Sequence, residues 1–249
     1  MLTPAGEDVH ADVTRLEHGF LSVERRLAGA DARPEGLVRL ATTETFATSF
    51  LVERLLPLRV AYPRIVLELL TGNTPVDLAR READVGIRIG QLPKQPYLIT
   101  RNLGAASFGL FASSRYVAQR GRPRVRDGLQ GHDVIAYSGR LAAAPLGRWL
   151  DANVQRAEVV MRSDSVDVVY KAVATGLGVG VLPYVFASHG LELIHADVLG
   201  NAPITSVVHE DQARSARIRA VVQYLADIIH RDRSLLAGAK RNQVRSRAK

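Results

Sequence analysis

From Leu37 to His230, short apolar runs alternate with segments of helical period, and this alternation limits the possible folds more than any other feature. Leu37–Ala41 reads as a first strand, followed by a helical segment Thr45–Ala61 that Tyr62 and Pro63 close. Ile65–Leu70 is apolar except for Glu68, the pattern of a strand covered on both faces. Thr74, Pro75 and Asp77 supply a hydroxyl cap, a first-turn proline and an acid for a helix ending near Glu82, before a strand at Asp84–Ile89. Further strands are predicted at Ser107–Ala112, Val134–Ser138, Ala157–Arg162, Val179–Leu182, Leu191–Ile194 and Ile204–His209. Helices are predicted at Ser114–Gln119, Leu146–Asn153 and Ser165–Ala174, the last stopped by Gly176 and Gly178. The final helix, Ala213–His230, presents Ile218, Val221, Val222, Leu225, Ile228 and Ile229 as a broad face for packing on a sheet. The class is therefore α/β with parallel strands.

Upstream of this region lies a different pattern. Val9, Val13, Leu16, Phe20, Val23 and Leu27 alternate four- and three-residue steps, which puts them on one narrow seam of a helix about 28 Å long. A seam this narrow suits a partner helix better than a globular core, the alternative being a helix folded back on its own domain. Residues 1–30 are thus predicted to form a dimerisation helix. A breaker-rich stretch, Ala28–Gly36, separates it from the α/β region.

Charge and composition exclude several classes. Five of the eight net positive charges fall in residues 240–249, which contain no acid, so the remaining body carries only three. The predicted reading of residues 234–249 is a basic, disordered tail rather than a nucleic-acid surface. No apolar run reaches the length of a membrane span, no signal-peptide pattern opens the chain and cysteine is absent; a cytoplasmic protein with no membrane partner is expected. The chain has no G-x-S-x-G elbow, P-loop, G-x-G-x-x-G after the first strand or H-E-x-x-H, and its seven histidines lack ligand spacing. Neither enzyme activity, cofactor nor metal is expected; His209-Glu210-Asp211 is the least dismissible polar grouping.

Three segments in order carry a resemblance. Gly36–Ala41 with a Thr-rich loop and a helix ending Ala61-Tyr62-Pro63, then Leu69–Thr74 with Asp84–Gly90, then Val173–Pro183 with its Gly-rich turn, are similar to the effector-sensing part of LysR-type transcriptional regulators. Leu2–Glu7 resembles the segment joining that family's winged helix-turn-helix to its linker helix. One departure is Glu53, where the family's helix usually carries proline, with Pro57 four residues later, a site for a kink or a new turn. The resemblance implies two Rossmann-like subdomains with a ligand cleft between them (periplasmic-binding-protein type II-like), preceded by a long dimerisation helix. Mapped here, effector-binding subdomain I would be residues 36–101 plus 205–233 and subdomain II residues 102–204. It further implies a small-molecule effector, a homodimer or tetramer formed through the linker helix and sensor domains, and contact with promoter DNA only through an N-terminal domain absent from this sequence. The alternative is a headless solute-binding protein of the same fold.

Ligands of open α/β sheets sit at the carboxyl ends of strands, where helix N-termini present free N–H groups. Three hydroxyl-bearing ends qualify: the loop with Thr43 and Thr45, Thr74, and Ser165 after Ser163-Asp164. The resemblance places effector-contacting hydroxyls at Thr45 and Thr74; each is also a plausible plain helix cap. Tyr137, Ser138 and Arg140 follow a predicted strand end in the second subdomain, and Arg88 could pair with a carboxylate ligand. Glu44 argues against a purely anion-seeking pocket unless it points away. A carboxylate is one candidate effector, and the ligand class is left open.

Overall fold

A computed structural model of the chain describes residues 12–14, 16–20, 33–72, 82–92, 95–196 and 198–238. Strand β1 (Gly36–Thr42) buries Val38 and Leu40 on one face and Ala41 on the other, as a central strand must. It runs parallel to β2 (Ile65–Thr71) and to β3 (Val85–Ile89). Between β1 and β2, residues 44–61 form one interrupted helical run. A turn at Glu44–Phe46 is capped by the Thr43 hydroxyl, and a π-helical turn at Ala47–Leu51 and a tight turn at Val52–Arg54 lead to a last α segment, Leu55–Ala61. Pro57 therefore falls in the first turn of a new segment, where its missing N–H costs no internal bond. Of the two outcomes open to Pro57, a kink or a new turn, the chain takes the new turn.

The first sheet has the order β2-β1-β3-β10-β4, where β4 is Leu98–Ala106 and β10 is Ala202–His209. Strand β10 is antiparallel to both of its neighbours, so the sheet is mixed rather than parallel as the sequence pattern suggested. The physical reason is connectivity: β4 leads out of the first lobe and β10 returns beside it, so the two must run in opposite directions. Strand β4 itself went unpredicted because its first half is largely exposed and polar, with no alternation to mark it. Strand β2 is also not covered on both faces. It lies at the sheet edge, with Val66 60% exposed.

In the second lobe, β5 (Phe108–Ser113) lies between β8 (Gly180–Pro183) and β9 (Leu191–His195), antiparallel to both. A parallel pair, β6 (Asp133–Tyr137) with β7 (Glu158–Ser163), joins it through a bridge between Val134 and Val179. The helix Val166–Ala174 ends in a hydrogen-bonded turn: Leu177 N–H donates to the Ala172 carbonyl and Gly176 N–H to that of Val173, with Gly176 at φ +86°. A Cβ at Gly178 would lie 2.6 Å from the Asp133 carbonyl oxygen, so the Gly-rich turn lets β8 approach β6 closely. One buried cluster runs through both lobes, from Val38, Phe50 and Ile87 to Phe111, Ile135 and Leu182.

The predicted division of the chain falls inside this architecture. Its boundary at 101/102 lies within β4, and that at 204/205 coincides with a bulge in the β4–β10 pairing. The tail expected from residue 234 begins folded. Arg233–Ala237 is helical, Leu236 is 4% exposed, and its carbonyl accepts from Ser107 N–H at 2.9 Å. Two adjacent leucines, Leu235 and Leu236, supply the apolar anchor that charge counting overlooks. Residues 239–249 lie outside the described residues. At the other end, residues 12–14 and 16–20 are helical and expose Val13, Leu16 and Phe20 by 54%, 74% and 73%; Val9, Val23 and Leu27 lie outside. Among the described residues no helix is long and apolar enough to cross a membrane.

Candidate functional site

A cavity of about 350 Å³ lies where the two lobes meet. The first lobe contributes Thr43 after β1, Thr45, Phe46 and Phe50 from the helical run and Gln91 after β3, and the segments crossing between the lobes add Ala106 and Asn201. The second lobe contributes Leu141, Pro145, Leu146, Val166 and Val185, and the C-terminal helix closes one side with Leu236. Phe46 and Phe50 are four residues apart, and their rings meet at 5.0 Å. The π-helical turn between them widens the helix at this point, a feature common at functional sites. The wall is thus mainly apolar with a few placed hydroxyl and amide groups, the usual make-up of a small-molecule pocket.

The candidate residues separate into two groups. Thr43 and Thr45 line the cavity, and the Thr43 hydroxyl also caps its helix by accepting from Phe46 N–H at 3.3 Å. Ser165 caps the helix Val166–Ala174, accepting from Val168 N–H at 3.4 Å, and stands next to the lining Val166. Tyr137 is buried, its hydroxyl donating to the Val181 carbonyl at 2.6 Å; burial first, and the charge of Asp167 second, push its pKa up. Ser138 precedes the helix Gly139–Ala143 without a side-chain cap bond, and Arg140 is exposed on that helix. Arg88 is half-buried on β3, where desolvation lowers its pKa. It alternates with the lining Ile89, so the two side chains leave the strand on opposite faces. None of Arg88, Tyr137, Ser138, Arg140 and Ser165 lines the cavity, and Thr74 lies outside the described residues.

Sequence reasoning missed a contact between the lobes beside the cavity. Asp167, in the first turn of Val166–Ala174, accepts from Thr45 Oγ1 at 2.6 Å and from Thr48 Oγ1 at 3.2 Å, joining the two lobes. Its signal was an acid two residues after the Ser165 cap, legible as a helix-start acid but not as a partner for residues more than a hundred positions away. A second tether holds the helical run to the C-terminal segment. Arg54 Nε lies 2.6 Å from Asp232 Oδ2, its guanidinium stacks 4.3 Å from the Phe50 ring centre, and its carbonyl accepts from Tyr224 Oη. Hydrogen bonds from Arg231 and then Arg54 hold the Asp232 carboxyl below the usual carboxylate range. A depressed folded-state pKa stabilises above the unfolded value and is lost as pH falls through the folded one. Asp232→Asn is therefore expected to melt below the parent protein at neutral pH, with the gap closing at acid pH below about 4, the unfolded aspartate value. Melting curves across pH check this, and a gap that widens in acid would contradict it.

A family model for the LysR substrate binding domain matches residues 31–228. The chain belongs to this family. The LysR domain seen here is similar to an HTH-type transcriptional regulator of Xanthomonas campestris pv. campestris (strain 8004), 30% identical over 135 residues, covering 54% of this chain and 39% of that protein. It is also 30% identical over 139 residues to the HTH-type transcriptional activator AaeR of Escherichia coli (strain K12), covering 56% of this chain and 45% of the relative. The chain thus spans less than half the length of these curated relatives. Among solved structures, the CrgA regulatory domain of Neisseria meningitidis superposes with a TM-score of 0.67 at 22% identity, covering 78% of this chain and 98% of that one. Full-length AphB of Vibrio cholerae gives 0.64 at 20% identity, covering 91% and 80%. At these identities the likeness is one of fold: two α/β lobes of the LysR type around a cleft.

Proposed function

We propose that this LysR-type domain is the effector-sensing part of a transcriptional regulator, binding a small molecule in the cavity between its lobes. The observation that carries the reading is the cavity itself: both lobes and both crossing segments build its wall, and a bond from the lining Thr45 to Asp167 ties the lobes. A ligand that fits the tied arrangement better than a splayed one shifts the angle between the lobes by its difference in affinity. Thr43 and Thr45 are the candidate residues proposed to contact it directly. Ser165 is proposed to act through the helix start it caps; Arg88, Tyr137, Ser138 and Arg140 are proposed to have at most an indirect part.

The relatives' names are those of transcriptional regulators rather than enzymes or solute carriers, which favours regulation over a headless solute-binding role. DNA contact is proposed for a helix-turn-helix domain joined to the N-terminal helix, in a cytoplasmic homodimer or tetramer. The apolar side chains exposed on residues 12–20 support that helix as an assembly surface. A carboxylate effector gains only weak support, because neither Arg88 nor Arg140 lines the cavity.

The test is a thermal-shift screen over small carboxylates, aromatics, amino acids and their neutral analogues. A true effector at a hundred times its dissociation constant contributes about 2.7 kcal/mol. For a domain of this size that raises the melting temperature by roughly 5–10 °C. A complete absence of shifts across the panel would count against the cavity as the sensing site.

A further inference from the structure

We propose that the ligand of the inter-lobe cavity is an uncharged, largely apolar molecule rather than an organic anion. The inference rests on the reading of the cavity as the effector site and narrows its ligand class. Among the described residues its wall contains no ionisable side chain, and its polar side chains are Thr43, Thr45, Gln91 and Asn201 against a surface otherwise almost wholly apolar. Three of these each already make one hydrogen bond within the protein. Thr43 caps its helix, Thr45 donates to Asp167, and the Asn201 amide oxygen accepts from Ser107 Oγ at 2.9 Å.

One protein carboxylate, Asp167, stands beside the cavity and is bonded to its lining residue Thr45. The favourable place for negative charge in such a cleft is the first turn of each facing helix. In this chain Asp167 occupies that turn in Val166–Ala174, directly beside the lining Val166. At that helix start the negative charge is thus supplied by the chain itself, and a ligand anion beside Asp167 meets like charge. Among the described residues no arginine lines the cavity: Arg88 leaves its strand on the far face and Arg140 is exposed outside the wall. What the cavity offers is Phe46, Phe50, Leu146 and Val166 as contact surface, with Gln91 as an amide at the rim.

The experiment compares two fluorophores of nearly the same skeleton, neutral N-phenyl-1-naphthylamine and anionic 1-anilinonaphthalene-8-sulfonate. Each is titrated into the intact protein and into Val166→Trp and Leu141→Trp, which fill the cavity from different helices, with melting curves confirming that at least one variant is folded. The expected result is cavity-dependent binding, abolished by the filling variant, of the neutral dye at least about ten-fold tighter than the anionic one. Asp167→Asn is expected to narrow that ratio by about three- to ten-fold by removing the like charge. If the anionic dye binds in the filling-sensitive site as tightly as the neutral one, the proposed ligand class is wrong while the cavity survives as a binding site. Should neither dye respond to filling, both the ligand class and the effector-site reading are overturned.

Discussion

Replacing Phe50 with alanine should lower the unfolding free energy by about 3–5 kcal/mol, the usual cost of emptying a buried aromatic site. The ring is 0% exposed, meets Phe46 at 5.0 Å and lies under the Arg54 guanidinium. Its loss removes apolar burial, an aromatic pair and the surface that orients Arg54 toward Asp232. The corresponding drop in melting temperature is roughly 6–20 °C for a domain of this size. Denaturant melts of the two proteins measure the difference. A change below about 1 kcal/mol would mean that the helical run collapses to refill the space, and that Phe50 is not the fixed wall described above.

The second large effect concerns assembly. Leu16→Asp combined with Phe20→Asp is expected to weaken self-association by at least about a thousand-fold, since each buried apolar side chain contributes roughly 1.5–3 kcal/mol and both helices of a pair carry the change. Both residues are more than 70% exposed in the single chain, so the substitutions remove little from the fold of the monomer. Sedimentation velocity over a concentration series reads the outcome. An assembly unchanged by the double substitution, or a parent protein already monomeric, would remove this helix from the interface.

Most of the secondary structure was legible because the residues that build it carry their own local signals. The hydroxyl loop after β1 is read as the start of a helix and is one, though the capping hydroxyl is that of Thr43 rather than Thr45. Gly176 and Gly178 are read as a stop, and the structure gives the reasons: a positive φ at one and a carbonyl in the way of a side chain at the other. Strand β4 was not legible because its identity depends on its partner β10, a hundred residues away, rather than on any pattern of its own. The mixed direction of the first sheet escaped for the same reason. Sequence reasoning reached the site's hydroxyl loop and missed most of its wall. Phe46, Phe50, Leu146 and Leu236 look like ordinary core residues, and only the packing of two lobes decides that their faces meet across a void. Tyr137 differs in the opposite sense: beside a strand end it resembles a ligand contact, and its hydroxyl donates to a backbone carbonyl inside the core.

Residue Ala106, where β4 ends, pairs directly with Ala202, where β10 begins. Everything from Ser107 to Asn201 therefore leaves and re-enters its host at a single point, with alpha carbons about 5 Å apart. The five-stranded sheet would stay whole if that span were cut out and a tight turn sewn across the gap. In genetic terms the second lobe is a cassette: a foreign lobe grafted between these two alanines would bring a new wall to the pocket and leave the host strands in register.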